Sequence, residues 1–223
     1  MKAFVGVFDV LGFKNRIDST PLGELVAGYR RLVHLKRLAA RVPVLEQGRS
    51  YVQRVNTTVF SDTILMWCRD SARELDGLLV ASAALMASAI DEGWPLRGGV
   101  AYGDAVLTIR DRIFVGPAIV DAFLMEQSQK WVGAALHPSV LAHPKFGQSI
   151  RQHDCVTRYP VPTGWSKKRL STDYAIHWGP FSTRGRRTLE KLAAPIKDVG
   201  VRRKYRSALR YLHTKCKGFA VLE

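Results

Sequence analysis

Ala3-Phe4-Val5-Gly6-Val7-Phe8-Asp9-Val10-Leu11-Gly12-Phe13 carries an apolar run straight into a carboxylate. The run is short, rich in Val and Phe, and closed by a turn signal at Gly12, so it reads as a buried strand ending at Asp9. Ser19-Thr20-Pro21 then supplies a helix N-cap and a first-turn proline. Leu22, Leu25, Val26, Tyr29, Leu32 and Val33 recur at helical spacing to about Arg41. Pro43 and Gly48 break the chain. Residues 49–60 and 63–68 are β-rich and separated by Ser61-Asp62, a hairpin pattern. Ser71 with Glu74 forms a capping box for a helix carrying Leu75, Leu78, Leu79, Leu85, Met86 and Ile90, which ends near Gly93 and Pro95. Residues 96–102 form a further strand, and 105–109 with 113–115 form a hairpin. Gly116-Pro117 starts a helix through Glu126.

The order strand, helix, strand, strand, helix, strand predicts an α+β fold, an α/β sandwich with a ferredoxin-like or palm βαββαβ core. Beyond His137, residues 153–157 and 174–178 read as strands, and 188–194 and 201–215 as helices. We expect one catalytic domain over residues 1–180 and a basic helical extension over 181–223 packed on it. In such a sheet the first two strands run parallel, with the third between them. The end of the first strand and the turn joining the second and third therefore share one edge. Asp9 occupies one location and Asp62 the other. Either aspartate alone is ordinary turn chemistry. A pair at one edge can hold hard cations such as Mg²⁺ or Mn²⁺. The turn at Val10-Leu11-Gly12-Phe13 would offer backbone amides to a triphosphate.

The chain has 223 residues, 47% of them hydrophobic, enough for one generous domain. Nothing approaches the ~20 apolar residues of a membrane span, and Asp9 interrupts the N-terminus before a signal-peptide core forms. The three cysteines and six histidines fall in no metal-ligand spacing. A cytoplasmic location follows as the expectation. A formal charge of +15 and a pI near 10.1 favour polyanions as partners. The excess gathers between Arg184 and Lys217, either as a solvated helical face or as a surface for a polyanion or partner.

Phe8-Asp9-Val10-Leu11-Gly12-Phe13 resembles the F-x-D-I-x-G-F opening of class III nucleotidyl cyclases, and Phe60-Ser61-Asp62-Thr63 resembles their second metal motif. Leu96-Arg97-Gly98-Gly99-Val100-Ala101-Tyr102-Gly103 is similar to their R-x-G-I-x-x-G strand, and Gly116-Pro117-Ala118-Ile119-Val120-Asp121-Ala122 to the glycine and helix that follow. Together these cover roughly residues 3–136. The departures are specific. The purine-reading lysine falls at Thr58 and its acidic partner at Ile113; the helix asparagine and transition-state arginine fall at Val120 and Leu124. The combination of Arg97-Gly98-Gly99, Gly116-Pro117-Ala118, Met125-Glu126-Gln127, Trp131-Val132-Gly133 and Tyr159-Pro160-Val161-Pro162 looks most like the bacterial pyrimidine cyclases of Pycsar antiphage systems.

This resemblance implies conversion of UTP, favoured over CTP, to a 3′,5′-cyclic monophosphate that signals to a separate effector in antiphage defence. It implies two Mn²⁺ or Mg²⁺ ions on Asp9, Asp62 and the Val10 carbonyl, with Leu11, Gly12 and Phe13 around the triphosphate. Tyr51, Arg54, Asn56 and Thr58 fall where the base is read, although Tyr51 also suits plain packing. Arg97 serves either as the missing cation or as a structural ion pair. Lys130, or an arginine between Arg151 and Arg169, is the alternative. A homodimer with two sites is implied. The rival readings are a basic nucleic-acid- or nucleotide-binding domain on a relic cyclase fold, and a nucleotide-joining enzyme on the same palm. Neither an RNP pattern nor a G-G-D-E-F signature supports them.

Overall fold

β1 (Lys2–Val10) lies inside the sheet because both of its faces are apolar: Ala3, Phe4, Val5, Val7 and Phe8 are all buried. The computed structural model describes residues 1–46, 49–164 and 170–216. After β1 come α1 (Phe13–Ser19), α2 (Leu22–Ala39), β2 (Arg41–Glu46), β3 (Arg49–Arg54), β4 (Asn56–Phe60) and β5 (Thr63–Arg69). Next are α3 (Ala72–Asp91), β6 (Leu96–Asp104), β7 (Val106–Thr108), β8 (Ile113–Val115), α4 (Pro117–Ser128) and β9 (Gly133–Leu136). The chain continues through α5 (Pro138–Leu141), α6 (Gly147–Gln152), β10 (Val156–Arg158), β11 (Tyr174–Ile176), α7 (Gly185–Ala193) and α8 (Val199–Lys215).

Seven strands form one sheet in the order β10-β11-β9-β6-β1-β5-β4. β1 pairs antiparallel with both β5 and β6, and β4 pairs antiparallel with β5. The four core strands thus take the βαββαβ order, and β9 adds to it parallel to β6. Strand alternation divides β1 between two cores. Phe4, Phe8 and Val10 pack with residues of α2 and α3, whereas Ala3, Val5 and Val7 pack with Ala118 and Ala122 of α4. Asp9 follows Val7 onto the α4 side. Burying a phenylalanine of this kind contributes about 2–3 kcal/mol, so a register slip that exposed Phe4 and Phe8 would cost most of the stability of a small domain.

Several local readings need correction. The expected second strand is two: β3 leaves the sheet to pair with β2, and only β4 joins β5. Pro43 does not break the chain but sits within β2, where a two-stranded ribbon leaves an unpaired side for a residue without an N–H. Neither Ser19 nor Thr20 caps α2; Pro21 holds the N-cap position without a side-chain bond. The capping box at Ser71 does not form either. Glu74 turns back to Arg69 instead, accepting from its backbone N–H at 3.0 Å and its Nε at 2.8 Å.

The C-terminal helices share the main core. Tyr205, Ala208, Tyr211 and Leu212 of α8 and Leu189 of α7 are buried in it. Tyr211 stands edge-on to Trp131 at 5.4 Å and meets Trp178 at 5.5 Å. The described residues contain no helix long and apolar enough to cross a membrane.

Candidate active site

Two strands and a turn converge at the C-terminal end of β1. Asp9 is flanked across the sheet by Thr63 on β5 and Arg97 on β6. Asp62 occupies the turn between β4 and β5, where Ser61 takes a left-handed φ of 52°. That turn is pinned from two sides: the Asp62 carbonyl accepts from Val10 N–H at 3.1 Å, and the Ser61 carbonyl accepts from Tyr29 Oη at 2.6 Å. The Asp9 and Asp62 carboxyl groups come within hydrogen-bonding reach of each other. Burial, the charge of Glu126 and the charge of Asp62 push the Asp9 carboxyl up to about 7, against the opposing pull of Arg97.

Two oxygen-bearing side chains forced together with too little positive charge suit a hard divalent cation. Among the described residues no cluster of three or more His, Cys, Asp or Glu side chains could hold an ion. Two carboxylates with open positions left for phosphate oxygens is the donor set that Mg²⁺ or Mn²⁺ accepts. The residues therefore fit the group.

Arg97 is not free. Its Nε and Nη2 pair with Glu126 Oε1, and Nη1 donates to the Gln129 carbonyl at 3.2 Å. Gln129 is itself fixed, donating to the carbonyls of Gly98 at 2.6 Å and Met125 at 2.8 Å and accepting from Trp131 Nε1 at 2.7 Å. Of the two roles open to Arg97, the buried ion pair is the one seen. Glu126, only 2% exposed, was missed in the sequence. The signal was present: Ala118 and Ala122 mark the buried stripe of α4, and Glu126 occupies its next place at i+4. Lys204 of α8 lies within electrostatic reach of the same pair, and Lys130 within reach of Lys204. Only the overall basicity of the tail pointed to Lys204.

The backbone cradle is narrower than expected. The Val10 and Leu11 amides are committed to the carbonyls of Asp62 and Pro95, at 3.1 and 2.9 Å. The Leu11 side chain belongs to the core. Gly12 holds φ +77° at the N-cap of α1 and Phe13 packs on Tyr29 at 6.0 Å, so only the first-turn amides of α1 lack an intrahelical partner.

The residues expected to read the base divide between two elements. Thr58 and Asn56 lie on β4, opposite Leu65 and Trp67. Tyr51 and Arg54 do not share that strand; they lie on β3, outside the central sheet. Tyr51, Arg54 and Asn56 line a cleft of about 810 Å³, where the Arg73 guanidinium sits 4.5 Å over the Tyr51 ring. In register, Asn56 stands opposite Trp67 while Asp9 stands opposite Thr63. Four positions along β5 separate the two, roughly 13 Å at the rise of a strand. The cleft therefore opens away from the carboxylates along the sheet rather than directly over them. Among the alternative cations, Arg151 bonds to the Gly147 carbonyl on α6, Arg158 lies on β10 far across the sheet, and Arg169 lies outside the described residues.

No protein-family model matches the chain. No curated protein matches it in sequence. Solved structures do resemble it. The guanylate cyclase domain of RhGC from Catenaria anguillulae, in complex with GTP, superposes with a TM-score of 0.54 at 14% identity, covering 78% of this chain and 94% of that one. The dimeric guanylyl cyclase domain of the RhoGC fusion protein from Blastocladiella emersonii gives 0.55 at 15% identity, covering 78% and 93%. The adenylyl cyclase CyaB from P. aeruginosa gives 0.52 at 12% identity, again covering 78% and 93%. A shared core of this extent, with the strand order above, gives the chain the fold of the class III adenylyl and guanylyl cyclase domains.

Proposed function

We propose that the chain is a metal-dependent nucleotide cyclase acting on a pyrimidine nucleoside triphosphate, UTP ahead of CTP, and releasing the 3′,5′-cyclic monophosphate and pyrophosphate. The observation that carries this reading is the meeting of the Asp9 and Asp62 carboxylates at the end of β1. In the reaction the ribose 3′-oxygen bonds to the α-phosphorus, the α–β bridging bond breaks, and the 3′-hydroxyl proton is released. Divalent ions held by Asp9, Asp62 and the Val10 carbonyl would supply the Lewis acid that activates this hydroxyl and offsets the phosphate charge. The protein's own work is placement: β1 and the β4–β5 turn fix the two carboxylates, and the Arg97–Glu126 pair braces the floor beside them.

Thr58 and Ile113, in place of the lysine and acidic residue of purine cyclases, support a pyrimidine. So does the wider resemblance of its motifs to the pyrimidine cyclases of antiphage systems, which implies a product that signals to a separate effector. The cleft at Tyr51, Arg54 and Asn56 receives the base from a second copy of the chain, arranged head to tail. The test is incubation of the purified chain with Mn²⁺ and each of the four ribonucleoside triphosphates, with products resolved by chromatography. Cyclic UMP or cyclic CMP is the expected product. A purine cyclic monophosphate removes the base assignment, and linear oligonucleotides or DNA binding without turnover remove the cyclase.

A further inference from the structure

With Arg97 committed to Glu126, the carboxylate end of the sheet needs another cation for the triphosphate, and α8 brings one. The Lys204 carbonyl accepts from Val132 N–H at 3.4 Å. Val132 precedes Gly133, which stands opposite Arg97 across the β6–β9 pair. Lys204 is thereby fixed at the sheet end that carries Asp9 and Asp62. Its helix cannot drift, because the neighbouring Tyr205, together with Ala208 and Tyr211, is buried in the core.

The Lys204 ammonium is half-buried yet makes no ion pair among the described residues. Of the carboxylates near it, Glu126 is taken by Arg97, and Asp198 caps α8 by accepting from Val201 N–H at 2.7 Å. Burial, Arg97 and Lys130 together push Lys204 below the ordinary lysine range. Lys130 approaches from the other side of the same corner. Its N–H donates to the Pro162 carbonyl at 2.7 Å, and its stem lies along Gly164. Two ammonium groups that form no ion pair among the described residues, beside a third, committed cation, repel one another, and an arriving polyanion relieves that repulsion.

We propose that Lys204 and Lys130 bind the pyrophosphate half of the substrate triphosphate, so that the C-terminal helix completes the catalytic centre in place of the arginine absent at Leu124. This rests on the cyclase reading above. Lys204 is a substrate-binding residue here, and through it one position of the basic tail, rather than the tail as a whole, enters the site.

The test is titration of the full chain with inorganic tripolyphosphate and Mn²⁺ by calorimetry, alongside turnover of UTP and CTP. Lys204→Met should weaken tripolyphosphate binding about tenfold, the worth of one charge-assisted contact. It should also raise KM for the nucleotide, and Lys204→Arg should restore most of both. Arg206→Met, an exposed change on the same helix, should alter neither. Lys130→Met gives a second reading should Lys204→Met disturb the docking of α8, and it should show the same loss with the melting temperature unchanged. A folded Lys204→Met chain that binds tripolyphosphate as the wild type does overturns the inference while leaving the cyclase intact. Lysine-dependent binding without any cyclic product retains the phosphate site and discards the reaction.

Discussion

Asp9 holds its proton to about pH 7 in the fold, against 3.8 for an ordinary aspartate, chiefly through burial. Between those values the native chain carries a proton that the unfolded chain has lost. The contribution of Asp9 to stability in the absence of metal is therefore full below about pH 4 and is lost as pH rises through 7. Asp9→Asn removes the penalty, so at pH 8 without metal the variant should melt higher by about 2–4 °C, or ~1 kcal/mol in a half-exposed site, with no gain at pH 4. A pH series of melting curves checks this; a gain that persists at pH 4 would exclude ionisation as its cause. The same substitution, or Asp62→Asn, should lower cyclase activity by about a hundredfold or more, as expected for carboxylates that share the catalytic ions. Mn²⁺ should then raise the melting temperature of the wild type and not of the variants. This pair was legible in the sequence because strand order alone brings the two residues to one edge. The spacing of Ala118, Ala122 and Glu126 signals that Glu126 is buried, but nothing in it names Arg97 as the partner.

Element packing decides how firmly that pair is held. α4 lies directly on β6 at Gly99, where an added Cβ would come within 2.3 Å of the Ala122 carbonyl oxygen and 2.7 Å of Glu126 N. Both atoms are helix backbone, so no side chain can move aside. Gly99→Ala must lift α4 and should cost about 1–3 kcal/mol, the range for overpacking a tight contact. Because Glu126 rides on α4, activity should fall further than the melting temperature alone explains. Glu126→Gln keeps the shape but leaves Arg97 buried without its counter-charge, an expected loss of about 3–5 kcal/mol. Denaturant unfolding measures both, and a Glu126→Gln chain as stable as wild type would show the pair to be dispensable. Long periodic elements such as α2 and α3 were readable from spacing, and α4 from the Gly116-Pro117 that starts it. The β2–β3 ribbon was not, because Pro43 and Gly48 signal a break wherever an unpaired strand side does not excuse them.

Across the whole molecule, the face bearing Asp9 is only partly covered. Phe60 is 85% exposed, and Val115, Val120 and Phe123 are exposed on the hairpin and helix. Position 120 carries valine where purine cyclases place an asparagine, which suits covering by another apolar surface. A two-fold dimer would bury this patch against its own copy. Sedimentation should show a dimer, and Phe60→Glu a monomer with little activity. A sharper consequence follows from the roughly 13 Å between Asn56 and Asp9 along the strands. In the head-to-tail dimer proposed above, the cleft of one copy and the carboxylates of the other would serve one nucleotide. Asp9→Asn then leaves a chain with an intact cleft and no carboxylate pair, and Arg54→Ala with Asn56→Ala leaves the reverse. Each should be inactive alone. Mixed one to one with free exchange of subunits, half the dimers are mixed and each has one of two sites intact, so about a quarter of wild-type activity should return. Restoration near that level, lost again when Phe60→Glu is added to both chains, would place the site between subunits. No restoration after exchange has been verified by mass spectrometry would confine the reaction to a single chain.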